Sequence, residues 1–290
     1  MDEQDFLTVG FEEHRPHLNA VAYRMLGSRA EAEDAVQEAW LRVTRADTAA
    51  VDNVGGWLTT VVARICLNVL RTRHREEPLD AHVPDPVLAR IESSDPEQEA
   101  LLADSVGLAL LVVLETLSPA ERLAFVLHDM FSMPFDEIAA VLDRSETATR
   151  QLASRARRRV RGARPGADAD LGAQRAVVEA FLAAARGGDL ETLVSLLAPD
   201  VVVRADGGTL RPSSVVQGRE AVARGATTFA RVAELSRLAL VNGSVGAVGL
   251  TGGRIVSVAA FTVSDGRVTA LDILTDPERL ARLDPAVLDG

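Results

Sequence analysis

Seven arginines, Arg150, Arg155, Arg157, Arg158, Arg159, Arg161 and Arg164, fall within fifteen residues, with no acidic residue among them. Guanidinium groups bond phosphate oxygens, and paired N–H donors can read guanine. The 290-residue chain carries a formal charge of −11, so this basic stretch is a local device on an acidic molecule. Pro134 can open a helix whose apolar face is Ile138, Val141 and Leu142; Arg144 lies in a turn, and Ser145 can cap a second helix. That pattern is helix–turn–helix. The start of the second helix in such a motif meets base edges. Here it offers Glu146, Thr147, Thr149 and Arg150 beside the cap Ser145, with Ser154, Arg155 and Arg158 within the next turns. A solvated helix whose cations complement the helix dipole is the plainer reading, but seven arginines exceed what capping requires.

Other chemistry is poorly supplied. Residues 165–290 contain no His, Cys, Tyr, Trp or Lys. Acid–base catalysis there would fall to carboxylates such as Asp206 or Asp272, and Asp206, followed by Gly207 and Gly208, is more simply a turn residue. His14, His17, His74, His82 and His128 lack metal-ligand spacing, so no metal or cofactor is expected. Cys66, the single cysteine, sits among apolar neighbours and reads as a small buried residue in a reducing cytoplasm. Trp57 reads as a core anchor. No apolar run of about 18 residues and no signal-peptide core occur, so neither a membrane span nor export is expected.

The elements that must position these residues separate by composition. Residues 6–75 are helical in pattern. Ser28 and Glu31 form a capping signature, and Ala32, Ala35, Val36, Ala39, Trp40 and Val43 recur at helical spacing. Residues 47–56 read as a loop, and a helix with a basic end follows. Pro78, Pro84, Pro86 and Pro96 make the next stretch a linker. Ser118, Pro119 and Glu121 mark another helix start. Beyond residue 171, helices over about 172–186, 189–197 and 219–234 precede short strands, with Asn242-Gly243, Gly252-Gly253 and Asp265-Gly266 as hairpin turns. That predicts an α+β domain with an antiparallel meander.

Taken together, residues 6–162 resemble the extracytoplasmic-function (ECF) group of bacterial sigma-70-family RNA polymerase factors. The stretches FEEHRPHLNAVAYRMLGSRAEAEDAVQEAWLRV, GGWLTTVVARICLNVLR and LSPAERLAFVLHDMFSMPFDEIAAVLDRSETATRQLASRARRRVR occur in the family's order. The resemblance implies an all-α sigma region two domain at 1–75, a linker at 76–103 and an all-α region four domain at 104–164 that reads the −35 promoter element. It places Asp34, Gln37, Glu38, Leu41 and Arg42 on the face that docks on the β′ clamp helices of core polymerase, with region four on the β flap. The 47–56 loop, with Asn53, falls where the family captures a flipped base of the −10 element. Arg64 and Asn68 fall where it contacts that element, and Arg71 and Arg73 are placed for phosphate. Residues 171–290 resemble the SnoaL-like domain, a cone-shaped α+β fold, which points to the SigJ-type subgroup of ECF factors. Asp206, Gly207 and Gly208, and Asp276-Pro277-Glu278-Arg279, stand at that subgroup's C-terminal signatures, and the linker reads HVPDPVL at a third. The expected function is promoter-specific initiation, tuned in cis by contact between the C-terminal domain and the sigma domains and without catalysis by the chain itself. The alternative is a one-component DNA-binding regulator with a sensing or catalytic C-terminal domain.

Overall fold

The computed structural model describes residues 3–45, 53–76, 82–91, 107–163, 170–209, 213–228 and 234–288. It divides into two compact units, residues 1–79 with 113–163, and residues 80–112 with 164–290.

In the first unit, α1 (Glu3–Leu26), α2 (Arg29–Val43) and α3 (Val54–Glu76) pack as a three-helix bundle. The Ser28 hydroxyl accepts the Glu31 N–H at the start of α2. Glu31 does not close the box: its carboxylate turns to Arg73 of α3. Ala32, Ala35, Val36, Ala39 and Val43 form the buried face of α2, and Leu58, Val62, Ile65 and Cys66 that of α3. Each larger aliphatic side chain so buried stabilises the bundle by about 1.5–3 kcal/mol. Burial pushes the Cys66 thiol up to about 12, so it stays protonated and unreactive.

The chain re-enters this unit through α4 (Leu108–Glu115), within which the division between units falls. There follow α5 (Pro119–Phe125), a π-helical turn at Val126–Met130, α6 (Phe135–Leu142) and α7 (Glu146–Ala163). A complete capping box starts α5: the Ser118 hydroxyl accepts the Glu121 N–H, and Glu121 accepts the Ser118 N–H. These helices pack on the bundle, α3 against α5 and α6, and α1 against the π turn. A buried ion pair sits at the seam. Arg122 of α5 is 1% exposed; its Nη1 lies 2.8 Å from Glu115 Oε1, while Nε and Nη2 donate to the Arg24 carbonyl of α1. Arg24 in turn stacks over Phe131 at 4.6 Å.

The second unit is a seven-stranded sheet in the order β1-β4-β5-β6-β7-β2-β3. Its strands are β1 (Leu88–Ala89), β2 (Leu197–Asp206), β3 (Ser214–Gln217), β4 (Ser236–Val241), β5 (Ser244–Thr251), β6 (Arg254–Ser264) and β7 (Arg267–Leu274). Helices α8 (Leu171–Gly187), α9 (Leu190–Leu196) and α10 (Arg219–Thr228) cover one face. Val178, Phe181, Leu182, Leu193 and Val222 meet Val201, Leu240, Val245, Phe261 and Leu271 there. The three expected hairpin turns join β4 to β7, each with both central residues in the left-handed region, from φ 49° and 80° at Asn242-Gly243 to 52° and 67° at Asp265-Gly266. That backbone matches the right-handed twist of the strands it connects.

Two features depart from the expected antiparallel meander. The sheet is mixed, because β2 runs parallel to β7 and antiparallel to β3. The linker also supplies an edge strand: Leu88 and Ala89 pair antiparallel with Val241 and Leu240. Residues 82–91, expected to be a connector, thus belong to the C-terminal unit. A short helix, α11 (Pro277–Leu280), follows β7. Among the described residues no helix is long and apolar enough to cross a membrane.

Candidate nucleic-acid interface

The helix–turn–helix is built locally as its residues require. Pro134 precedes α6, which buries Ile138, Ala139, Val141 and Leu142. Asp143 ends it in the left-handed region at φ 54°. The Ser145 hydroxyl accepts the Ala148 N–H at the start of α7. Leu152, Ala153, Ala156 and Val160 form the inner face of α7, leaving Glu146, Thr147, Arg150, Ser154, Arg155 and Arg158 exposed. Thr149 corrects an expectation. It is fully buried, and its hydroxyl donates to the Ser145 carbonyl, so it packs the joint between α6 and α7 instead of facing bases.

The arginines are not a bare cationic surface. Arg150 pairs with Glu146 and lies 5.3 Å over the Phe135 ring, which stacks on His128. Arg155 and Arg159 both reach Glu121 of α5, at 3.0 and 2.6 Å, and Arg157 reaches Asp129 at 2.6 Å. Glu121 therefore caps one helix and clasps another. Burial would raise its carboxyl, but hydrogen bonds from Ser118 and Arg155 and the Arg159 charge hold it below the usual range. Arg158 and Arg161 have no carboxylate partner among the described residues. Arg164 lies outside them. Capping explained Glu121 fully at the sequence level, so nothing there signalled its second role.

On α3, Arg64, Asn68 and Arg71 fall at i, i+4 and i+7 and are all exposed, forming one stripe. Arg64 Nη2 donates to the Ala140 carbonyl of α6 at 3.3 Å. Arg73 leaves the stripe, which corrects its expected role at phosphate. Its guanidinium donates to the Leu26 carbonyl, pairs with Glu31 and approaches Glu115 at 3.9 Å, so it ties the bundle together. Asn53 caps α3, its Oδ1 accepting the Gly56 N–H at 3.0 Å. Most of the 47–56 loop, residues 47–52, lies outside the described residues. Trp57 is half-buried, not a fully enclosed anchor, and lines a hollow of about 220 Å³ with Arg42, Val61 and Arg64. On α2, Asp34, Gln37, Glu38, Leu41 and Arg42 are all exposed, Leu41 by 50%. Arg42 is paired with Glu38.

The second unit brings three distant sequence segments together. Asp206 at the end of β2 accepts the Val83 N–H at 3.0 Å and faces His82 Nδ1 at 3.3 Å. Arg279 of α11 binds Asp206 Oδ2 at 2.8 Å, Asp85 Oδ1 at 2.5 Å and the Val83 carbonyl at 2.5 Å. Gly208 sits at φ 64° beside Asp276, and a Cβ there would overlap the Asp276 carboxylate. Val87 and Asn242 exchange two further bonds, Val87 N–H to Asn242 Oδ1 and Asn242 N–H to the Val87 carbonyl. Burial would raise Asp206, but His82, the Val83 and Gly208 N–H groups and the Arg279 charge together hold it far below the usual carboxylate range. Asp206 thus holds the linker to the C-terminal sheet, and the Gly208 N–H, one residue beyond the spacer Gly207, donates to Asp206 Oδ1.

Comparison with known proteins matches these parts. Residues 11–76 match the Sigma-70 region 2 family, 107–160 match Sigma-70, region 4, and 178–271 match the SnoaL-like domain. The chain is 42% identical to "ECF RNA polymerase sigma factor SigJ" of Mycobacterium tuberculosis over 288 residues, covering 93% of this chain and 91% of that protein. The chain belongs to the ECF RNA polymerase sigma factors. This ECF factor is also 34% identical to a probable ECF factor, SigI, of the same species, with 97% of each chain covered. The crystal structure of SigJ superposes with a TM-score of 0.74 at 40% identity, covering 94% of this ECF factor and 97% of that chain. The first unit therefore holds region two and residues 113–160 of region four, and the second holds the SnoaL-like domain with part of the linker and the first residues of the region four match.

Proposed function

We propose that this ECF factor docks on core RNA polymerase through the α2 face, Asp34, Gln37, Glu38, Leu41 and Arg42, and directs it to promoters. Region four reads the −35 element with Arg150, Ser154, Arg155 and Arg158. Region two meets the −10 element with Asn53, Arg64, Asn68 and Arg71. The observation that carries this reading is the exposure of a complete polar ridge around a half-exposed leucine on α2, beside the Arg64–Asn68–Arg71 stripe. A solitary DNA-binding regulator needs no such ridge.

Promoter reading requires the first unit to open. The −35 and −10 elements lie about 25 base pairs apart, roughly 85 Å of B-DNA at 3.4 Å per pair. In the compact unit Arg64 of region two bonds region four directly. Polymerase binding supplies the energy that separates the two halves, and Arg155 must also exchange Glu121 for DNA.

The C-terminal domain acts by contact, not catalysis. Asp272 is 2% exposed and paired with Arg204; it lies on the sheet face opposite Leu271, away from the helix-covered core. Asp206 is committed to the linker. A hollow of about 210 Å³ lined by Arg90, Ile91, Arg175, Leu238 and Leu288 carries no carboxylate. The clasp of Asp206 and Arg279 on residues 82–85 couples this domain to the linker, and its release tunes sigma activity.

Purified factor with core polymerase should yield promoter-specific transcripts. Arg150→Ala with Arg155→Ala should cut them at least tenfold, since a bidentate base contact contributes about 1–3 kcal/mol of discrimination. Unchanged −35 selectivity in the double variant would sink the helix assignment.

A further inference from the structure

The first unit contains a cleft of about 510 Å³ that the promoter reading does not use as a cavity. Arg71 of α3, Arg144 of the helix–turn–helix turn and Arg155 of α7 line it, over a floor of Ser118, Pro119, Ala120 and Leu152. Arg71 comes from region two, far along the sequence from Arg144 and Arg155, which lie in adjacent elements of region four. Arg71 and Arg144 are exposed and have no carboxylate partner among the described residues. Among the described residues, Glu121, bonded to Arg155 and Arg159, is the one acid bonded to any of the three. Three arginines around one hollow favour an anion there, and the charges of Arg71 and Arg144 are not offset by a carboxylate among the described residues.

We propose that this cleft is a binding site for a small oligophosphate anion. Each guanidinium presents a planar fork that matches two phosphoryl oxygens, so three of them suit a ligand with several phosphoryl groups better than a single carboxylate. The volume lies within the range of small-molecule sites. Because one wall comes from region two and the other from region four, the intact site exists only while the unit is closed. An occupant binds the closed form alone and shifts the population toward it. That regulatory consequence rests on the promoter reading above; the binding itself does not.

The test is titration calorimetry of the full chain with inorganic tripolyphosphate, pyrophosphate and orthophosphate at fixed salt. We expect one tripolyphosphate per chain, with affinity falling from tripolyphosphate to orthophosphate. Arg71→Ala and Arg144→Ala should each weaken tripolyphosphate at least tenfold. Arg161→Ala, which removes the same charge from α7 away from the cleft, should leave it unchanged. Arg71 and Arg144 are exposed, and melting curves of each variant report whether the fold is retained. Absence of binding, or equal loss in all three variants, would show diffuse attraction and overturn the site. A ten-nucleotide single strand that depends on Arg71 and Arg144 more strongly than tripolyphosphate does would overturn it in favour of a nucleic-acid groove.

Discussion

Replacing Arg122 with methionine is expected to destabilise the first unit by about 3–5 kcal/mol, the cost of leaving one member of a buried ion pair alone. Arg122 and Glu115 are 1% and 5% exposed, and 2.8 Å separates Nη1 from Oε1. Methionine fills similar volume, so the loss is electrostatic and not a cavity. Glu115 would then keep only Arg73, 3.9 Å away, and the Arg24 carbonyl would lose both of its donors from this side chain. For a unit of this size each kcal/mol moves the melting point by about 2–4 °C or more. A fall near 10 °C in the thermal transition is therefore the expected reading. Adding Glu115→Leu to Arg122→Met should recover much of it, because the stranded charge is gone and buried ion pairs are often replaceable by apolar groups. A single variant as stable as the parent would show that the pair contributes nothing at this seam.

Asp206→Ala should release the linker from the C-terminal sheet. The substitution leaves the Val83 N–H, His82 and part of Arg279 without their common acceptor. Breaking such a buried charge network costs about 3–5 kcal/mol. Amide exchange at residues 83–89 should accelerate at least a hundredfold, while the β5–β6 amides stay protected. Asp206→Asn should fall between, since it keeps the geometry and loses the charge. The pH dependence follows from the depressed carboxyl. Its folded value lies below the unfolded value of about 3.9, so its contribution is complete above that value and is lost as pH falls toward the folded one. Linker protection should therefore decline below about pH 4 in the parent and show little such dependence in Asp206→Ala. Equal exchange in the two proteins at neutral pH would refute the clasp.

Much of this architecture could be read from local chemistry. Asn242-Gly243 and Asp265-Gly266 announce their hairpins because few residues tolerate the left-handed backbone that these turns need. Ser145 and the apolar spacing of α7 mark the helix–turn–helix for the same kind of reason. What stayed hidden depends on partners far along the chain. Leu88 and Ala89 are too short a run to show alternation, and their strand exists because Val241 and Leu240 offer an edge. The parallel pairing of β2 with β7 is likewise set by the closing of the sheet. In the candidate interface, helical spacing identified the exposed residues of α7 but not the inward turn of Thr149 or Arg73. Nor could it show that Glu121, 34 residues before Arg155, holds that side chain.

The pairing within region four changes what salt should do to it. Six arginines of α7 lie within the described residues, and four of them, Arg150, Arg155, Arg157 and Arg159, already have a carboxylate counterpart. When such a side chain moves to a DNA phosphate, the DNA sheds a condensed cation and the abandoned carboxylate recruits one. The net release is then close to zero. Only Arg158 and Arg161 would give full ion release, so the logarithmic dependence of region-four binding on salt should have a slope near −2, where six free cations would give about −5. An arginine-rich helix can in this way bind DNA with the ionic-strength tolerance of a far less charged one.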